Sequence, residues 1–219
     1  MAPSPTAPKN WPVNIKYLTT PSYSPTLTPD HLSVLRTSSK DSTPIPTNSP
    51  RGASALVRIT PITVPTHPAN GQCGLVAAKD LKPGTFILRY IGDLHAPNPK
   101  FKIDPHADSD YDLSLDRDHG IGIDAAKKGN EARFINDYRG VGERPNAEFK
   151  EIWDVARGER GMGVWVLEER NGKSPKGKWK GIKKGEEILV SYGRGFWGAR
   201  KRDIEEEEEV MGSEMETTK

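Results

Sequence analysis

A single cysteine, Cys73, stands in this chain of 219 residues, which excludes an internal disulfide and any cysteine-rich zinc cluster. Five scattered histidines do not complete a four-ligand metal site either, so no metal is expected. No apolar run approaches the roughly 18 residues that span a bilayer, and Met1-Ala2-Pro3-Ser4-Pro5 lacks the apolar centre of a signal peptide. The expectation is an intracellular, soluble protein without membrane contact, and a lone cysteine fits a reducing compartment. Charge of one sign is missing too. Lys and Arg number 32 against 30 Asp and Glu, which argues against coating nucleic acid by bulk charge. No internal repeat is present, which excludes solenoids and propellers.

What the chain does have is unevenly distributed. Residues 1–50 hold ten of the 19 prolines and sixteen Ser or Thr, too little apolar surface to offset ordering entropy. Residues 1–52 are therefore expected to be mostly disordered. One short helix is predicted from Thr28, with Thr28 as N-cap, Pro29 in the first position and Asp30 at the positive end. Trp11, Ile15, Tyr17 and Leu18 leave two readings open, packing onto a domain or a solvated tail. The hydrophobic share is only 34%, but apolar residues cluster between Leu56 and Trp197, enough for one core.

Within that region short strands are punctuated by Gly and Pro, which predicts a mainly β fold with few short helices. Strands are expected at 56–59, 75–78, 85–91, 111–115, 120–124, 149–155, 164–167 and 187–191, with a loop over 92–110. Asn70-Gly71 and Lys82-Pro83-Gly84 are turn signals. A domain is expected over 53–200. Residues 201–219, with the acidic run from Glu205 to Glu209, are expected to be a solvated, disordered tail.

Two stretches stand out. The first is Asn130-Glu131-Ala132-Arg133-Phe134-Ile135-Asn136-Asp137, followed by Pro145-Asn146. The second is Gly185-Glu186-Glu187-Ile188-Leu189-Val190-Ser191-Tyr192-Gly193. With Gln72-Cys73-Gly74-Leu75 and the segment 82–93, they fall in the order found in the SET-domain protein-lysine methyltransferases. The chain resembles that family over about residues 53–197, as a compact member without cysteine-rich zinc clusters before or after the domain.

The resemblance implies small β-sheets with a C-terminal pseudoknot, in which the two stretches cross. It implies S-adenosylmethionine as cofactor and a protein lysine, on a histone tail, as substrate. Tyr192 would be the catalytic residue facing the transferred methyl group. Cys73, Gly74, Tyr111, Arg133, Phe134, Asn136, Asp137 and Trp197 would bind cofactor. Tyr90, Leu113, Val190 and Phe196 would line the lysine channel or its lid, with Val190 setting its width. Departures from the family pattern are Gln72 for a glycine, Asp137 for a histidine and Tyr138-Arg139 for Ser-Cys.

The chemistry accounts for these residue types. In-line methyl transfer needs an aligned, neutral amine and the exclusion of water. A free lysine has a pKa of about 10.4, so an apolar channel and a nearby positive charge must lower it. No dedicated general base is then required. A tyrosine hydroxyl orients the amine, and backbone carbonyls contact the polarised methyl group.

Other features are set aside or left as rivals. Gly172-Lys173-Ser174 ends like a phosphate-binding loop, but Leu167 stands where the upstream glycine belongs. The basic stretch Lys173, Lys176, Lys178, Lys180, Lys183 and Lys184, with Trp179 among them, reads as a solvated loop or as a weak nucleic-acid contact over 173–184. Ala199-Arg200-Lys201-Arg202 is a weak nuclear-import pattern, which makes the expected location nuclear or cytoplasmic. Two rival functions remain: a SET-like interaction module without turnover, and a nucleic-acid-binding module. Oligomeric state cannot be read from the residues.

Overall fold

The computed structural model describes residues 6–45, 47–49, 52–101, 103–168 and 180–193. Its elements, in chain order, are β1 (Lys16–Tyr17), β2 (Ser22–Tyr23), α1 (Pro29–Leu35), β3 (Thr43–Pro44), β4 (Val57–Pro61), β5 (Cys73–Ala77), β6 (Phe86–Tyr90) and β7 (Asp93–His95). Then come β8 (Asp112–Asp116), β9 (Ile121–Asp124), β10 (Lys128–Gly129), a 3-10 helix (Glu131–Phe134), β11 (Asn136–Asp137), β12 (Ala147–Asp154), β13 (Glu159–Val166) and β14 (Leu189–Val190). Among the described residues the fold is mostly β, with α1 as the one α-helix that lies wholly within them. No helix among the described residues is long and apolar enough to cross a membrane.

Two four-stranded sheets and three two-stranded pairs share one core. One sheet runs β3-β12-β13-β6, the other β2-β7-β9-β8. The β12–β13 hairpin pairs in continuous register from Ala147↔Val166 to Asp154↔Glu159, and β6 lies antiparallel on its open side. The sequence pattern predicted two shorter strands here. The charged residues Glu148, Lys150 and Glu151 obscure the alternation, yet Ile152, Val164 and Val166 are fully buried. Gly163 explains one break in the pattern. A Cβ there would come within 2.7 Å of Ile152 and 3.0 Å of Phe86, so only glycine lets the strand pass. Residues 92–110 are not all loop: β7 pairs with β9 on one edge and β2 on the other, burying Leu94.

The N-terminal segment differs most from expectation. Residues 6–45 carry three strands and α1 instead of the disorder that their composition suggested. β1 lies parallel to β10, β2 to β7 and β3 to β12. Trp11 meets the edges of Tyr17 at 5.0 Å and Phe134 at 5.6 Å between ring centroids. The Tyr17 hydroxyl donates to Glu131 at 3.2 Å, and Leu35 and Ile45 are buried. The segment is ordered by partners some hundred residues away rather than by its own packing. Helix α1 begins as the sequence indicated: the Thr28 hydroxyl accepts from His31 N–H, and His31 Nδ1 accepts in return from Thr28 N–H.

Candidate active site

The two signature stretches cross. β11 and β14 pair in parallel, Asn136 with Leu189 and Asp137 with Val190. A pair of two-residue strands would not hold alone, and Asn146 supplies the rest. Its side chain donates to Glu187 O at 2.7 Å and accepts from Leu189 N–H at 2.8 Å, while its own N–H reaches Leu189 O at 3.0 Å. Tyr138 N–H adds a bond to Val190 O at 2.9 Å. On the other side, Ile188 N–H donates to Leu75 O and Ala77 N–H to Glu186 O, so residues 186–190 run between β5 and β11. Each such bond is worth about 1 kcal/mol net, and several in one place fix the crossing.

Tyr192 follows directly. Its hydroxyl donates to Ile135 O at 2.7 Å, and its N–H donates to the Asp137 carboxylate at 2.7 Å. Burial pushes the phenol above its usual range, helped by the negative side chains Asp137, Asp110 and Glu187. A hydroxyl kept protonated, with its hydrogen committed to a carbonyl, can serve a visiting amine only as an acceptor. It cannot act as a base near neutral pH.

Asp137, the next residue of β11, is buried. Its carboxylate takes the Tyr192 N–H, the Arg139 N–H at 2.8 Å and the Arg139 guanidinium at 2.8 Å. The side chain thus ties the two crossing segments together. The cation beside it is Arg139.

Asn136 lies one residue earlier. Its Nδ2 donates to Glu187 Oε1 at 2.8 Å, and Oδ1 has no hydrogen-bond partner among the described residues. Glu187 Oε2 in turn meets His67 Nε2 at 3.1 Å. Gly74 faces the same carboxylate: a Cβ there would stand 2.5 Å from Glu187 Oε1. Gly74, expected in a turn, lies inside β5 opposite Thr60 and makes room there for Glu187. Cys73 beside it is half-buried, and burial raises its thiol pKa, so the thiol form prevails.

Of the remaining described candidates, Tyr90 and Tyr111 lie near Tyr192. Tyr90 is buried, donates to Tyr111 O at 2.7 Å and meets Phe149 edge-on at 5.7 Å. Burial also raises the Tyr90 pKa, with the neighbouring Tyr192 contributing. The Tyr111 ring carries the Arg133 guanidinium at 4.3 Å, and Arg133 Nε donates to Ala125 O at 2.9 Å. Arg133 and Phe134 thus have side chains committed to packing, the latter against Trp11, and the Arg133 N–H is donated to Asn130 O at 3.2 Å. Leu113 sits in β8 opposite Ile123, partly buried against the core. Val190 is fully enclosed.

Phe196 and Trp197 lie outside the described residues, as do Lys173, Lys176, Lys178 and Trp179. Of the basic stretch, Lys183 pairs with Asp80 at 2.9 Å. Sequence reasoning missed His67, Asn146 as a crossing lock, Glu187 as an Asn136 partner, and Phe149. The Pro145-Asn146 pair gave a signal for Asn146; nothing local marked His67. No group of three or more His, Cys, Asp or Glu among the described residues is arranged to hold a metal ion.

The arrangement can present an amide acceptor beside a carboxylate on one side of the crossing and an acceptor hydroxyl on the other. A ligand with a cationic amine suits the first, and an amine donor suits the second. The residues therefore fit an amino-acid-bearing sulfonium cofactor together with a lysine side chain.

Several known proteins are similar to this chain. The histone-lysine N-methyltransferase ASHH1 of Arabidopsis thaliana is 32% identical over 148 residues, covering 61% of this chain. ASHH3 of the same plant, also a histone-lysine N-methyltransferase, is 28% identical over 124 residues, covering 54%. The chain spans 28% and 29% of the lengths of those two relatives. Among solved structures, the Chaetomium thermophilum polycomb repressive complex 2 aligns at 26% identity with a TM-score of 0.46, covering 65% of this chain and 16% of that one. The same complex in an autoinhibited conformation bound to S-adenosylmethionine aligns at 24% and 0.46, covering 71% and 17%. Residues 72–193, more than half of the chain and the whole of the crossing, match the SET domain model, and the protein belongs to the SET-domain family.

Proposed function

We propose that this chain is an S-adenosylmethionine-dependent protein-lysine N-methyltransferase whose substrate is a histone tail and whose workplace is the nucleus. One observation carries the reading: the pairing of β11 with β14 brings Tyr192, two residues past β14, into hydrogen bonds with Ile135 and Asp137, the residues on either side of Asn136. Cofactor would be held by Asn136, by the backbone of residues 133–137 and by Cys73 and Gly74 at the start of β5. When bound, it supplies an electrophilic methyl group.

The chain's own residues do the rest. Tyr192, fixed by Ile135 O and Asp137, accepts one N–H of the substrate amine and turns its lone pair toward the methyl group. Tyr90, Leu113, Phe149 and Val190 would wall a mostly apolar channel that disfavours the charged amine, so that the neutral form would be the one enclosed. The proton leaves the amine before transfer, and no residue of the crossing is required to take it. The two Arabidopsis relatives, both named as histone-lysine methyltransferases, support the substrate class.

The test is incubation of the purified chain with recombinant histones and isotope-labelled S-adenosylmethionine, followed by peptide mass spectrometry. Labelled methyl groups on lysine support the reading. Cofactor binding without transfer to histones or to a nuclear extract would favour an interaction module instead.

A further inference from the structure

We infer that His67 is a positioning residue of the cofactor site, acting through Glu187 to set which end of the Asn136 amide faces the ligand. The inference rests on the cofactor reading above and goes one layer outward from it.

The hydrogen-bond roles can be assigned without ambiguity from the partners. Ala69 N–H can only donate, so His67 Nδ1, 3.0 Å away, is the acceptor nitrogen. The ring proton of the neutral imidazole then sits on Nε2 and is donated to Glu187 Oε2 at 3.1 Å. The Glu187 carboxylate accepts only, so the Asn136 amide must turn Nδ2 toward Glu187 Oε1, at 2.8 Å. That leaves Oδ1 directed elsewhere, as an acceptor. An acceptor suits the ammonium of the cofactor's amino-acid end, while a flipped amide would present N–H groups to it. The chain of bonds therefore chooses the productive face of Asn136.

Three further features hold this arrangement. His67 lies in the 62–72 loop, which is closed by Ile62 N–H to Gln72 O at 2.8 Å and Gly71 N–H to Ile62 O at 3.0 Å. The His67 and Glu187 side chains are 9% and 16% exposed, so water competes little for their bond. The same loop abuts the turn after β11, where a Cβ on Gly140 would reach within 2.6 Å of Pro68. The loop that carries His67 thus meets the second stretch at Glu187 and, through Pro68, the turn that follows the first stretch.

The experiment compares two ligands on the full chain by calorimetry: S-adenosylhomocysteine, which keeps the amino-acid end, and 5′-methylthioadenosine, which lacks it. His67→Ala should weaken the first about tenfold and the second less than about twofold, the size of one lost charge-assisted bond. His67→Gln, whose amide can still donate to Glu187, should recover most of the loss. Glu187→Gln, which no longer dictates the amide's direction, should show the same selective loss as His67→Ala and guards against a folding failure in the latter. Equal weakening of both ligands, or unchanged S-adenosylhomocysteine affinity, overturns the inference. A wild-type chain that binds neither ligand overturns the cofactor reading, and the inference with it.

Discussion

Asp137 shows how much one side chain can hold at the residue scale. Its carboxylate receives the Tyr192 N–H and the Arg139 backbone N–H and guanidinium. Because it is buried, removing it would leave those donors unsatisfied, a cost of about 1–3 kcal/mol. Asp137→Ala should therefore lower the urea midpoint and, by loosening Tyr192, reduce methyl transfer. Equilibrium unfolding with an unchanged midpoint would show that the carboxylate does not lock the crossing. The sequence named Asp137 as a cofactor-binding candidate, but its bonds to Tyr192 and Arg139 were not legible, since nothing local says which way a buried carboxylate turns. The pairing of Asn136 with Glu187 was hidden for a similar reason: 51 positions separate them.

At the scale of elements, local chemistry was legible and long-range pairing was not. The Thr28 cap, the strand at β6 and the two crossing stretches could be read because their signals lie within a few neighbouring residues. The strands β1, β2 and β3 could not, because each has two residues and exists only through a distant partner. Composition misled there: a Pro- and Ser-rich segment buries little of its own, yet Trp11, Tyr17, Leu35 and Ile45 find an existing surface. Trp11 is the test of this element. It makes two edge-on ring contacts, each worth about 0.5–1.5 kcal/mol, on Tyr17 and on Phe134 of the 3-10 helix. Trp11→Ala should destabilise the chain by roughly 1–3 kcal/mol, read as a lower melting temperature. It should also weaken cofactor binding modestly, because Phe134 leads into Asn136. A melting temperature equal to the wild type's would return residues 6–24 to the status of a passive tail.

For the whole molecule, charge placement sets the acid limit. Burial alone would raise the Asp116 carboxyl, but bonds from His119 and Arg160 outweigh it and hold the group at about 2. Asp124 is lowered as well, burial again being overcome by His106, Ser109 and the Ala126 N–H. Both folded values lie below the ordinary 3.8 of an unfolded aspartate. Their contribution is therefore fully present above about pH 4 and is lost as pH falls from there toward about 2. The urea midpoint should drop across that window, and the drop should be smaller in Asp116→Asn. A midpoint indifferent to pH from 5 down to 2, both round values set about the window above, would mean that these bonds contribute nothing to stability.

The same molecule-wide view contains the central claim, that one crossing joins a cofactor-holding amide to an amine-orienting hydroxyl. The most direct measurement is a paired one on Tyr192→Phe and Asn136→Ala, with cofactor affinity by calorimetry and methyl transfer to histone by single-turnover kinetics. Tyr192→Phe should keep affinity within a few-fold and lose most of the transfer, since its hydroxyl acts on the amine in the transition state. Asn136→Ala should weaken cofactor by roughly 1–3 kcal/mol and regain much of its transfer rate at saturating cofactor. Wild-type turnover in Tyr192→Phe, or wild-type cofactor affinity in Asn136→Ala, would contradict the account.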